Sequence, residues 1–192
     1  MNSSISKLIG SVLLQISALT VAGNSNTFTS DDYILAIERY DIEAWISYDT
    51  VDRHEIITGT DRGAQLYVYR NERGKVQRVV FDYGLSQTDK LYSLLYKDGK
   101  LVKAIESKRR YRYGKDGDVA FCQPYPQVET ARTYFRGSEV VCLSSGDKTC
   151  EAIRLDAAKR QAVLSGASDL LRQVTAAKPE SEMPDVDFLK DF

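Results

Sequence analysis

Histidine is nearly missing from this chain: 192 residues hold one, His54, beside 3 Cys, 4 Pro and 1 Trp. One imidazole and three thiols leave little material for a metal centre, and no recognised ligand spacing accompanies them. With 12 Gly and 4 Pro the chain is neither collagenous nor low in complexity. Charge of one sign is also lacking, because 26 Lys+Arg meet 27 Asp+Glu for a net charge of −1. A dedicated nucleic-acid binder needs a basic excess, so that class is excluded. Walker A, Gly-x-Gly-x-x-Gly and Gly-x-Ser-x-Gly are absent, and Ser144-Ser145-Gly146 is loop chemistry rather than a nucleophile elbow. What remains is a globular composition with 43% hydrophobic residues.

No long hydrophobic run is present either. The longest, Leu8 to Ala22, follows a short segment carrying Lys7 and has the length of a signal-peptide core rather than a membrane span. Small residues after it suit cleavage behind Ala22 or Gly23. Residues 1–23 are therefore expected to be a signal peptide and the mature protein to be periplasmic or secreted, with no stable membrane insertion after cleavage. A buried amphipathic helix or an uncleaved anchor is the alternative for this segment. Cys142 and Cys150 bracket a polar loop that can bring them to bridging distance, and a disulfide between them is the favoured pairing. Cys122 with Cys142, or three reduced thiols, stay open.

In the mature chain Ser30, as N-cap, and Asp31-Asp32 predict a short helix over 31–40. Ile42 to Tyr48 and Val51 to Thr58 then read as extended. Ala64 to Arg70 alternates, with Leu66 and Val68 on one face and Tyr67 and Tyr69 on the other. Turns at Asn71–Gly74, Asp98-Gly99 and Arg136–Ser138 punctuate further strands and predict three successive hairpins. From Leu155 the apolar spacing is helical to about 176, through Ala158, Ala162, Val163, Ala167, Leu170, Leu171 and Val174. The fold class expected is α+β: an antiparallel β-meander sheet packed by a C-terminal amphipathic helix, with a short N-terminal helix. Residues 24–177 form one domain, and 178–192 an acidic tail, extended or disordered.

The units Leu66-Tyr67-Val68-Tyr69…Gly74-Lys75-Val76, Leu91 to Val102, and Tyr134 to Val141 resemble the aromatic strand, Asp/Asn-Gly turn, Lys-Leu-Val strand repeats of small exported bacterial β-meander proteins of uncharacterised function. The resemblance covers residues 64–142, and the third unit departs from it with Arg-Gly-Ser at the turn. It implies an architecture and transfers no catalytic residue.

The densest chemistry is Lys108-Arg109-Arg110-Tyr111-Arg112-Tyr113, preceded by Lys103. On a strand Arg110 and Arg112 share one face, and Arg109, Tyr111 and Tyr113 the other. Such a guanidinium–aromatic surface suits an acidic protein patch, an anionic glycan or a phosphate. The plainer reading, solvated positions on a charged strand that deters edge pairing, is favoured by the balanced overall charge. Carboxylates cluster at Glu38, Asp41 and Glu43 and flank a turn at Asp49 and Asp52, all read as surface residues or caps. His54 and Glu55 point to opposite faces, and the single imidazole stands far upstream of every cysteine in sequence. No cofactor, metal or catalytic residue is assigned. The function expected is non-enzymatic binding of another periplasmic or delivered protein, as an inhibitor or immunity protein would, with no nucleic acid involved. A small-ligand or envelope-glycan binder is the alternative, and an envelope hydrolase the third reading.

Overall fold

The computed structural model describes residues 29–56, 63–84, 88–110, 128–145 and 156–183. Helix α1 (Ser30–Ile46) is followed by strands β1 (Tyr48–Ile56), β2 (Ala64–Asn71), β3 (Val76–Gly84), β4 (Thr88–Lys97), β5 (Lys100–Arg110), β6 (Val128–Arg136) and β7 (Glu139–Ser145), then helix α2 (Ala157–Ala176). The strands form one seven-stranded sheet in the order β1 to β7, each antiparallel to the next. The expected meander and its α+β class are thus the observed architecture. Its turns follow the expected chemistry, with Gly74, Gly99 and Gly137 at φ of 70°, 75° and 61°, where a side chain is disfavoured.

Strand alternation divides the sheet into two faces. Leu66 and Val68 on β2, Val79 and Phe81 on β3, Leu94 and Tyr96 on β4, and Phe135 on β6 lie on one face, each no more than 1% exposed. Helix α2 covers that face with Val163, Ala167, Leu170 and Val174, the stripe read from the sequence. Burying each larger aliphatic side chain contributes about 1.5–3 kcal/mol, which is what holds a helix of modest intrinsic propensity on the sheet. Asp156 caps it, its carboxylate accepting from Ala158 N at 3.0 Å. Tyr96 passes through this layer and donates to the Ala167 carbonyl at 3.0 Å.

The opposite face carries the first departure from expectation. Helix α1 does not stop near residue 40 but continues to Ile46, so Ile42 to Ile46 is helix and not strand. Ile42, Ala44 and Ile46 alternate and so imitate a strand. The positions that turn inward are Ile37, Asp41 and Ala44, at helical spacing, and they pack against Leu95, Val102, Tyr134 and Cys142. The cap sits one residue earlier than expected: Thr29 Oγ1 accepts from Asp32 N at 3.2 Å, and Asp32 accepts from Thr29 N at 3.0 Å. This reciprocal pair satisfies two of the otherwise orphaned amides of the first turn. Helices therefore cover both faces of the sheet, where the sequence reading had assigned a helical layer to one.

The first residues of the tail add an edge contact to the sheet. After α2, residues 178–183 run back along the outer edge of β1. Glu180 N donates to Arg53 O at 3.1 Å, Met183 N donates to Glu55 O at 2.9 Å, and Met183 bridges Ile56 in parallel sense. This strap is the described part of the tail read as extended or disordered. The proposed signal segment, residues 57–62, the Tyr111–Tyr113 stretch and residues 184–192 lie outside the described residues.

Candidate functional site: an aromatic face above a buried ion network

The polar residues of the α1-covered face explain why α1 docks there. Asp41, 7% exposed, faces Arg78 of β3 and Lys103 of β5, which are 2% and 3% exposed. Arg78 Nη2 donates to Asp41 Oδ1, and Arg78 Nη1 donates to Ser93 Oγ at 2.8 Å. Lys103 Nζ donates to Asp41 Oδ2 at 2.7 Å and lies 2.6 Å from Glu38 Oε1. Tyr134 donates to the same Glu38 oxygen. Two carboxylates from α1 thus neutralise two cations from the sheet, each with further hydrogen bonds, as buried charge requires. A bulge between Leu95 and Tyr96 turns Val102 and Lys103 together toward α1.

The network perturbs its members in consistent directions. Desolvation brings Arg78 down to about 10 and also lowers Lys103, against the opposing pull of Glu38. Burial would raise Glu38, but the hydrogen bonds from Lys103 and Tyr134 and the charges of Lys103 and Arg132 outweigh it and hold the carboxyl below its ordinary value. Desolvation pushes the Tyr134 hydroxyl well up, and Glu38 adds to the shift. Hydrogen bonds from Tyr33 to the Phe135 carbonyl and from Tyr40 to the Tyr96 carbonyl, the latter at 2.9 Å, secure α1 along its length.

This arrangement corrects two sequence readings. Asp41 is not a surface carboxylate, Glu38 is half-buried at the rim of the network, and Lys103 does not belong to an exposed basic stripe. The reason is long range: their partners stand 37 and more residues away in sequence and meet only when α1 crosses the sheet. Of the proposed binding cluster, Arg109 and Arg110 end β5, with Arg109 in register with Asp89 and Val128, and Arg110 with Thr88. Tyr111, Arg112 and Tyr113 lie outside the described residues, as do Cys122 and Cys150. Cys142 is buried on β7 against the α1 layer. His54 and Glu55 do face opposite ways: the imidazole is 1% exposed, with Nδ1 3.1 Å from the Ser181 carbonyl of the strap.

The surface feature missed by the sequence reading lies where α1 ends. Trp45, Tyr48 and Tyr69 meet edge to face, with ring centroids 5.1 Å (Trp45–Tyr69), 5.4 Å (Tyr48–Tyr69) and 6.5 Å (Trp45–Tyr48) apart. The Arg78 guanidinium lies 4.3 Å from the Trp45 ring centroid, so the buried network supports the ring from within. Outward, Trp45 is 45% exposed, Ile42 60%, Ile46 79%, Tyr48 42% and Val51 41%. Large apolar side chains gathered at one corner of a molecule mark an interaction surface more often than scattered ones do. The signal in the sequence was Leu35, Ile42, Trp45 and Ile46, whose spacing places them along the outward side of a helix once the segment is read as helical.

Elsewhere, an open groove of about 520 Å³ lies between the β4–β5 and β6–β7 turns and Gln161, Leu164, Ser165 and Ser168 of α2. Among the described residues its lining holds no carboxylate, His or Cys. Among the described residues no group of three or more His, Cys, Asp or Glu could hold a metal ion, and no helix is long and apolar enough to cross a membrane. No family model, curated protein or solved structure matches the chain.

Proposed function

We propose that the protein is an exported, non-enzymatic binding protein that takes a protein partner on the α1–β1 corner. The observation that carries this reading is the exposed set Ile42, Trp45, Ile46, Tyr48 and Val51. A rigid helix end and an edge strand present one Trp and one Tyr beside aliphatic side chains, the anchor chemistry on which protein interfaces rely. The surface is exposed and ring-lined, which suits another protein better than a small ligand, for which an enclosed pocket is the usual site. Inhibition or immunity against a delivered protein needs no more than such a face and an export signal. Export rests on the leader-like residues 1–23 and on the cysteines, for which a bridge from Cys142 to Cys150 is the proposed pairing.

The test has two parts. Mass spectrometry of protein recovered from the periplasm should show a mature N-terminus at residue 23 or 24. Affinity capture should yield one stoichiometric partner that rebinds when purified and is released by Trp45→Ala and by Ile46→Asp. A partner unaffected by both substitutions, but released by changes at Arg109 to Tyr113, would return the site to the basic cluster. Binding of soluble glycans that quenches Trp45 fluorescence, with no protein partner, would favour the envelope-glycan reading.

A further inference from the structure

We infer that His54 is an acid-sensitive latch: a proton taken up by its imidazole releases the 178–183 strap from β1, whatever the aromatic face binds. This is the chain's single histidine, the one side chain type whose ordinary titration falls near neutral pH. It stands opposite Leu66 in register, so its ring lies on the α2-covered face, where it is 1% exposed and meets the strap at Ser181. The neighbours of the ring fix the place of its proton. Nδ1 lies 3.1 Å from the Ser181 carbonyl oxygen, which can only accept. It lies 3.3 Å from Ser181 Oγ, whose own hydrogen goes to the Lys178 carbonyl at 2.7 Å. Nδ1 therefore carries the N–H and donates it to the strap. Nε2 keeps its lone pair, is buried, and has no hydrogen-bond partner among the described residues. Acid adds the second proton at Nε2, where a charged N–H would have neither acceptor nor water.

Among the described residues no charge is free to stabilise that proton. On β1 the same face carries Asp52, whose Oδ2 is held by Arg70 Nε at 2.6 Å, while Arg53 and Glu55 point to the other face. On β2 the residue opposite is Leu66, and Arg70 also donates to the Val174 carbonyl at 2.7 Å, which ties the Asp52–Arg70 pair to the end of α2. The inward residues of α2 are Val163, Ala167, Leu170 and Val174, all uncharged. On the strap Lys178, Glu180 and Glu182 are exposed.

The strap is the element that yields. Among the described residues its main chain makes two bonds to β1, from Glu180 N to Arg53 O at 3.1 Å and from Met183 N to Glu55 O at 2.9 Å. Glu180 sits at a φ of 61°, a left-handed conformation unfavourable for a residue with a side chain. On its other side β1 is held by a ladder with β2 that runs the length of the strand. Lifting the strap lets the ring reach water and carry its charge there. The sign follows from linkage: the strap is closed above the pH at which a solvated imidazole titrates, about 6.5, and loosens as pH falls below it. With one proton taken up on opening, the opening constant rises about thirtyfold from about pH 7.5 to about pH 5.

Hydrogen exchange of the full chain, corrected for the intrinsic effect of pH on exchange, is the test. Protection of the Glu180 and Met183 amides should fall about thirtyfold between about pH 7.5 and about pH 5, while the β4 and β5 amides keep theirs. His54→Phe keeps a ring that takes up no proton, and its strap protection should change less than about twofold over the same range. An NMR titration of the imidazole in unaltered protein decides the matter if that variant does not fold: ring protonation and strap release should share one midpoint. A ring that is protonated while Glu180 and Met183 stay protected overturns the latch. So do strap protection that is flat with pH, an acid loss that persists in His54→Phe, and an equal loss at β4 and β5.

Discussion

Replacing Asp41 by Ala is the sharpest perturbation of this molecule, because one carboxylate serves two buried cations. Arg78 and Lys103 side chains are each 3% exposed, and Asp41 accepts from both. Its loss leaves Arg78 with Ser93, and Lys103 with Glu38, so a full positive charge stays under α1 without its counter-ion. Breaking a buried pair by removing one partner costs about 3–5 kcal/mol. A domain of this size has about 5–15 kcal/mol in hand, so the variant folds marginally or loses α1 docking. At about 2–4 °C per kcal/mol, the melting temperature falls by about 10 °C. Urea unfolding followed by Trp45 fluorescence is the assay, since the chain's single Trp lies 4.3 Å from Arg78 and reports the same interface. A thermodynamic cycle separates pairing from packing: Asp41→Leu with Arg78→Met and Lys103→Met together should cost far less than Asp41→Ala alone, because no orphaned charge remains. A loss below about 1 kcal/mol for Asp41→Ala, the range of exposed pairs, would refute the claim that these charges are buried and coupled.

Acid titration of stability tests Glu38. Its folded carboxyl lies below the ordinary value, so its contribution is present above the unfolded pKa and is lost as pH falls through the folded one. Glu38→Gln should therefore flatten the stability loss below about pH 4.3, measured by urea midpoints across pH. In alkali the signs reverse for the tyrosines: desolvation raises Tyr92, Tyr96 and Tyr134, so their stabilisation is full below pH 10 and is lost as pH rises through their folded values. Ultraviolet titration should find these three hydroxyls still protonated at pH 11 until the protein unfolds, and smooth titration of every tyrosine near pH 10 would contradict their burial. Tyr96→Phe removes the second donor to the Ala167 carbonyl, which keeps its hydrogen bond within α2, and should cost about 0.5–1.5 kcal/mol in the same urea assay.

The meander was readable because its instructions are local. Asn71–Gly74, Asp98-Gly99 and Arg136–Ser138 are turn residues between alternating strands, and each reversal needs only its own few residues. The inward stripe of α2 was readable for the same reason. Helix α1 was cut short because Ile42, Ala44 and Ile46 carry a period of two by accident, whereas Ile37, Asp41 and Ala44 carry the one that is buried. A charged residue on the inward stripe argues against a core position until its partners are known, and Arg78 and Lys103 sit on other elements. The aromatic corner depended on that helix boundary: with residues 42–48 extended, Trp45 has no route to Tyr69. The basic cluster stood out by density alone, and density does not report which face a residue takes.

The strap has a consequence for how the chain comes apart. A meander whose strands pair only with their sequence neighbours resembles a row of hairpins, free to fray from either end as a linear array does. Because residues 180–183 return to β1, the last described segment is bonded to the first strand across more than a hundred residues. That closure couples the ends of the array, so unravelling from β1 must first release the strap. The parent chain should then unfold in one cooperative step, while a chain ending at Ala177 should lose β1 protection in hydrogen exchange well before β4 and β5.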